Sequence, residues 1–375
     1  MPTTTVDYDT LDKAKNAFIA AAKSTLTFAE KFGFVPRDGL GASANLFALN
    51  LKPFLTRKDA SLYMSLVPEG LGTADDTRPE DLTSDELKRF WFNIGIKTVA
   101  VMTNDVATSG LQTILIGLYL PSSTPETVFT PEFMRGFLDG VVQGCLEVGC
   151  VYLSGETPQL KTKIVPNRLD IAGAAFGVLT AGNAPVDSSA LQVGDKIVFV
   201  ESSGPHENGF TTLRELADRL PQGYRTKMSD GKEFWEGMNA PSKLYTPLIQ
   251  EILRSGVRPT NIENITGHGW QKLMRPKQPF SYLIQKTLPV PPVFKLAEQS
   301  ANLSPAEMIK IFNYGAGLAL FARSESDAEC MLAIASKLKL KAIVAGKVEK
   351  STAREVIVEP FNAKLEGEKF LLKKG

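Results

Sequence analysis

The stretch AGNAPVDSSALQVGD, residues 181–195, interrupts an otherwise regular succession of apolar segments. Gly, Pro, Asn, Asp and Ser crowd it, and these residues favour turns over helix or ladder bonding. On either side lies a separate alternation of strand-like and helical patterns. A chain of 375 residues is long enough to bury two cores without disulfides or metals. The reading is two domains, 1–180 and 181–375, each α/β or α+β in class.

In the first half, apolar residues recur at helical spacing over 13–32, 83–108 and 130–148. Short apolar or alternating runs at 61–67, 111–120, 151–154 and 169–179 read as strands. Thr83, Ser84, Asp85 and Glu86 form a helix-start signal, and Gly110 suits a left-handed helix end. DGLGAS at 38–43 reads as a loop. The second half offers strands at 196–200, 257–265, 280–286, 314–322, 341–347 and 354–358. Its helices are 208–220, 241–255, two between 293 and 311, and 325–337, and its Lys-rich end reads as frayed.

Charge excludes some functions. Lys and Arg number 42 against 41 Asp and Glu, a balance unsuited to a generally basic nucleic-acid binder. Apolar stretches such as 111–120 are about half the roughly 20 residues that a membrane helix needs. Acids stand near the N-terminus, where a signal peptide has a basic end, so the expectation is a cytoplasmic protein. Cys145 and Cys150, on an apolar helix leading into a strand, read as core residues. With only His206 and His268, a clustered His/Cys zinc site is excluded.

The chain has neither a GxxxxGK[ST] loop nor a GxGxxG helix opening. Three carboxylates stand at element ends: Glu69 before a Gly-rich turn, Asp105 in the second helix, and Glu156 after a strand. Hard cations bridge such groups to phosphates, so the three read either as a Mg–ATP cluster or as unrelated surface acids. SSGPHENGF, 202–210, joins a strand to a helix whose free N–H groups suit an anion. His206 within it is an acid, base or phosphate donor, or an incidental loop residue. NITGHGW at 264–270 and FNYGAGL at 312–318 are two more Gly loops beside strands. Asp75 and Asp76 read as metal ligands or as a solvated turn.

In this order the segments resemble those of the phosphoribosylformylglycinamidine cyclo-ligases (aminoimidazole ribonucleotide synthetases). Their superfamily includes formylglycinamidine synthetase, selenophosphate synthetase, thiamine-monophosphate kinase and a hydrogenase-maturation protein. EGLGT is similar to the family's DGVGTK, matching at Gly70, Gly72 and Thr73. Asn104 and Asp105 resemble its ND segment, and Gly155, Glu156 and Thr157 its GGET. Asp170, Ala172 and Gly173 resemble its D-x-A-G strand. Ser203, Gly204, His206, Asn208 and Gly209 match its SSGxHSNG loop, and Thr266 and Gly267 its TGGG loop. Phe312, Asn313, Gly315 and Gly317 match its FNxGxG segment.

The resemblance implies a homodimer whose N-terminal mixed sheets join in a barrel, with a C-terminal α/β domain. It implies ATP and Mg²⁺ as cofactors and a small phosphorylated substrate. Glu69, Asp105 and Glu156 would bind the metal. Gly70, Gly72, Thr73, Asn104, Gly155 and Thr157 would line the nucleotide. Ser203, Gly204, His206, Asn208, Thr266, Gly267 and Asn313 would hold or act on the substrate, with His206, Asn208 and Asp105 as the catalytic set. Departures are Glu69 for an Asp, Ala74 for a Lys, Lys97 for an Asp, His268 for a Gly, and no Lys motif near the N-terminus. Lys97 or His268 are the cations at hand to replace the lost charge. The departures also fit a paralogue that phosphorylates another small molecule, or a non-catalytic nucleotide-binding dimer.

Overall fold

The computed structural model describes residues 8–36, 47–54 and 62–367. The loop expected at 38–43 and the Lys-rich end lie outside them. The chain divides into two compact units, Met1–Ala107 with Leu111–Ala184, and Thr108–Gly110 with Pro185–Gly375.

Unit 1 contains α1 (Tyr8–Thr25), β1 (Phe34–Pro36), β2 (Phe47–Leu49), β3 (Met64–Gly70) and α2 (Ser84–Ala107). It continues with β4 (Gln112–Tyr119), α3 (Pro125–Val128), α4 (Pro131–Val148), β5 (Val151–Glu156) and β6 (Ala172–Val178). Four strands form a mixed sheet in the order β3-β6-β4-β5; β4 and β5 are parallel and the other pairs antiparallel. α2 lies against β3, β6 and β4 on one face. On β3 the pleat turns Met64, Leu66, Pro68 and Gly70 outward, while Ser65, Val67 and Glu69 are half-buried on the α2 side. Part of the other face is covered by β1 and β2, where Phe34 stacks on Phe47 and joins Phe54, Val151 and Val178 in a core cluster.

The helix starts follow the sequence signals. Thr83 and Glu86 bond reciprocally at the start of α2, and the Thr130 hydroxyl accepts the Phe133 N–H at the start of α4. Gly149 ends α4 at φ 75°, and Gly110, at φ 79°, follows α2. Cys145 and Cys150 are both buried, and burial pushes the Cys145 thiol well above its usual range.

A glycine seam joins α2 to α4. Gly136, Gly140 and Gly144 repeat every fourth residue along one side of α4. A Cβ on Gly140 would lie 2.0 Å from the Phe92 carbonyl oxygen, and one on Gly136 would lie 2.3 Å from that of Lys88. From the other side, a Cβ on Gly95 would lie 2.3 Å from the Phe137 oxygen. The two backbones therefore meet without intervening side chains. Trp91, Phe133 and Phe137 pack beside the seam.

Unit 2 contains β7 (Lys196–Glu201), α5 (Phe210–Arg219), α6 (Phe234–Met238), α7 (Thr246–Arg254), β8 (Asn261–Asn264) and β9 (Phe280–Ile284). It continues with α8 (Pro292–Ala301), α9 (Pro305–Ile311), β10 (Ala316–Ala322), α10 (Glu325–Lys337), β11 (Ala342–Lys350), β12 (Glu355–Val358) and β13 (Ala363–Glu366). The seven-stranded sheet runs β13-β12-β9-β11-β7-β10-β8, with β12 and β9 parallel and the other pairs antiparallel. β10 is buried at all seven positions, in keeping with its unbroken apolar sequence.

Differences from the sequence reading are local. The helix expected at 241–255 begins at Thr246, because Asn239–Tyr245 form a loop. β8 is shorter than 257–265, and β3 begins later than the expected strand. The reading misses β1, β2, β13, α3 and α6, each of five residues or fewer, too short to show a period.

Gly140→Ala tests the seam by the sign of its effect. Helix propensity alone would raise stability by about 1 kcal/mol. The clash with Phe92 predicts instead a loss of about 3 kcal/mol, read as a lower melting temperature in calorimetry.

Candidate functional site

In unit 1, β3, β4 and β5 reach their C-terminal ends at one rim of the sheet, where β6 begins. Gly70, Ala172, Tyr119 and Glu156 form one cross-strand row there. The row spans three inter-strand spacings, about 14 Å. Past Gly70 the chain turns sharply: the Leu71 N–H bonds the Ile171 oxygen, and Gly72 takes φ 58°. Thr73 follows at φ −108°, ψ 22°. Among the described residues, the Gly72 and Thr73 N–H groups donate to no backbone carbonyl. Successive N–H groups in such a turn make a concavity suited to an anion.

A charged cluster braces this turn. Asp76 pairs with Arg168 at 3.0 Å. Arg78 donates to the Asp75 backbone oxygen at 2.7 Å, and its guanidinium lies over the rings of Phe90 and Trp91. Asp75 is not in a solvated turn: it is 4% exposed. Burial first, and then neighbouring Asp76, pushes its carboxyl up to about 7.

The three carboxylates singled out in the sequence do not converge. Glu69 lies on the α2 side of the edge strand β3, and Glu156 is exposed at the far end of the row, on the opposite face. Asp105 is half-buried on α2, beside buried Asn104. Among the described residues, no three His, Cys, Asp or Glu side chains stand close enough to hold a metal ion. Within one chain, the described residues therefore do not gather Glu69, Asp105 and Glu156 into one metal site. Lys97 is fully buried on α2 and presents no charge to solvent.

Beside the row lies a cavity of about 630 Å³, lined by Lys15, Phe18 and Ile19 of α1 and by Tyr119, Gly155, Glu156, Thr157 and Ala172. That volume suits a small molecule. Lys15 had no sequence signal beyond its place on a periodic helix, yet it is the cation of the cavity wall.

In unit 2, four loops meet near the N-terminal end of β10. Asn313 ties them: its Oδ1 accepts from the Ser202 hydroxyl and the Gly315 N–H, and its Nδ2 donates to the Gly204 oxygen. Its carbonyl accepts the Trp270 indole N–H. Both ends of the amide are thus engaged within the protein, so Asn313 braces the loops. His206 is buried, and its Nε2 accepts the N–H groups of Ser203 at 3.3 Å and Lys243 at 3.5 Å. Accepting from two loops at Nε2, the imidazole fastens them together. The Ser203 hydroxyl donates to the Pro241 oxygen. Asn208, Thr266 and Gly267 are half-buried and His268 exposed, and Asn208 Oδ1 lies 3.3 Å from where a Gly267 Cβ would sit. Strain gathers here: His206, His268 and Tyr314 take φ 56°, 73° and 47°. Non-glycine residues hold that region only when their surroundings impose it, and such residues cluster at functional sites.

Residues 80–179 match the family described as AIR synthase related protein, N-terminal domain. The match places an AIR-synthase-related N-terminal domain within unit 1. It is 28% identical to a phosphoribosylformylglycinamidine cyclo-ligase of Syntrophotalea carbinolica, over 69% of this chain and 73% of that one. It is 26% identical to one of Syntrophus aciditrophicus, over 85% and 88%. Among solved structures it is similar to the hydrogenase maturation protein HypE in complex with ATP, at TM-score 0.60 and 16% identity over 85% of this chain and 88% of that one. A thiamine-monophosphate kinase from Stenotrophomonas maltophilia gives TM-score 0.60 at 17% identity over 92% and 97%. These likenesses establish the AIR-synthase-like fold. Among the described residues, no helix is long and apolar enough to cross a membrane.

Within this superfamily fold, Asp75 gives a pH signature. Its carboxyl stays protonated in the native state between the ordinary value of 3.8 and about 7. That stabilisation is complete below the lower value and is lost as pH rises through the higher one, roughly 4 kcal/mol in all. Asp75→Asn is expected to melt higher than the wild type at pH 8, with the gap narrowed by more than half at pH 5. Parallel thermal melts at the two pH values check this.

Proposed function

We propose that the protein is an ATP-dependent cyclo-ligase that converts formylglycinamidine ribonucleotide to aminoimidazole ribonucleotide, as a homodimer in the cytoplasm. The observation that carries this reading is the alignment with cyclo-ligases over most of the chain. The unit 1 turn supports it by presenting the N–H groups of Gly72 and Thr73. In this reading Gly70, Asn104, Asp105 and the segment 155–157 belong to the nucleotide side. The unit 2 loops take the phosphorylated substrate, with Asn208, Thr266 and Gly267 toward it and His206, Ser203, Gly204 and Asn313 keeping the loops in place.

The γ-phosphoryl group passes to the formyl amide oxygen, giving an iminophosphate and ADP. The internal amine then attacks that carbon, the imidazole ring closes, and phosphate leaves. Such transfer depends on positioning and charge neutralisation more than on covalent chemistry by the protein. Mg²⁺ keeps several waters and binds through one or two carboxylates plus substrate phosphates, so it needs no three-carboxylate cage. Exposed Glu156 is one carboxylate for that role, and the metal would supply charge neutralisation at the phosphates.

Purified protein with Mg–ATP and formylglycinamidine ribonucleotide is expected to form equal amounts of ADP, phosphate and aminoimidazole ribonucleotide. Glu156→Ala should weaken Mg–ATP binding by about tenfold in calorimetry. Turnover with a different acceptor alone would make the protein a superfamily paralogue, and binding without turnover would make it a non-catalytic module.

The outward face of β3 supports the dimer. Leu66 is 69% exposed and Met64 56%, with Tyr63 and Tyr119 also open to solvent. Large apolar side chains left open on an edge strand, as Met64 and Leu66 are, suit a contact surface. Leu66→Asp is expected to shift the protein from dimer to monomer in light scattering, without loss of helical circular dichroism.

A further inference from the structure

Ala74 brings no charge to the anion-suited turn of unit 1, and Asp75 and Asp76 follow it. Two guanidiniums are bonded to this turn, Arg78 to the Asp75 backbone and Arg168 to the Asp76 carboxylate. Arg78 is occupied: one nitrogen is on that backbone oxygen, and the plane lies 5.1 and 4.9 Å from the Phe90 and Trp91 ring centres. Arg168 is differently placed. Its backbone oxygen accepts the Ser123 N–H, and its own N–H bonds the Val165 oxygen, so the residue is docked on the segment that follows β4. Its side chain is 49% exposed and reaches Asp76 with Nη1. A guanidinium carries five donors in a fixed fork, so one bond to Asp76 orients it without exhausting it.

We propose that Arg168 is the phosphate-binding cation of unit 1, held by Asp76 so that its remaining donors join the Gly72 and Thr73 N–H groups on one polyphosphate. This rests on the reading of unit 1 as the nucleotide-binding unit. The arrangement divides the work by charge. The carboxylate of Asp76 fixes the fork, the fork and the two N–H groups take phosphate oxygens, and Arg78 shores up the turn from below. A carboxylate-oriented guanidinium suits a phosphate better than a free lysine, because it presents two parallel donors in a set direction.

The test is calorimetric titration of wild type, Arg168→Ala, Arg168→Lys and Asp76→Ala with Mg–ATP and, separately, with adenosine. Arg168→Ala is expected to weaken Mg–ATP binding by about 10- to 100-fold and to leave adenosine binding unchanged. Arg168→Lys should restore part of the loss, because the charge returns without the fork. Asp76→Ala should weaken Mg–ATP by only a few fold, because the cation remains. If the wild type binds Mg–ATP and Arg168→Ala binds it within twofold, Arg168 is not the phosphate cation and the nucleotide reading stands. Equal losses in Asp76→Ala and Arg168→Ala would show that the ion pair merely supports the turn, which also overturns the proposal. If the wild type binds no Mg–ATP, the nucleotide reading of unit 1 fails first and Arg168's role falls with it.

Discussion

Unit 1 depends on how closely α2 and α4 approach. Glycine inside a helix costs about 1 kcal/mol relative to alanine, so three in α4 are unfavourable for the helix by itself. They are tolerated because they fall on one side and allow backbone-to-backbone contact with α2. That contact fixes the level at which α2 lies on the sheet. It places Met102 against Gly173 and Val106 against Gly177, where a side chain on either glycine would collide. The positions of Lys97, Asn104 and Asp105 follow from this packing, since all three ride on α2.

The two units build their candidate sites in different ways. In unit 1 the sheet supplies a rim and the turn supplies N–H groups. Charge is arranged around them by one exposed ion pair, one stacked guanidinium and one buried carboxyl. In unit 2 the Asn313 amide and the His206 imidazole tie the loops together by hydrogen bonds. Asn313 and His206 spend their polar atoms on backbone groups and neighbouring loops, which keeps left-handed residues in place. A side chain that fixes the path of a loop leaves a sequence signal as strong as one that touches a ligand.

Much of the fold was legible in sequence because it depends on local pattern. The β10 run is uniformly apolar and is buried throughout, and α10 occupies the expected 325–337. The Thr83–Glu86 pair announced α2. The glycines of α4 were equally visible, at a spacing of four, but their meaning required knowing that α2 lay opposite. Asp75 read as a metal ligand or a solvated turn acid, because no local pattern shows that the fold buries it. Lys15 and Arg168 carried no motif, since each acts through position alone.

Sequence by itself determined the punctuation of the chain, the types of its longer elements, the Gly loops and their order, and hence the resemblance to the cyclo-ligases. Those features rest on backbone preferences and periodicities that act over a few residues. Only the tertiary structure decided that Glu69 and Glu156 face opposite sides of a sheet about 14 Å wide. It alone buried Asp75 and Lys97, and it alone set Arg168 on the turn that lacks a lysine. Strand order and register, which no local pattern contains, place distant residues side by side or keep them apart.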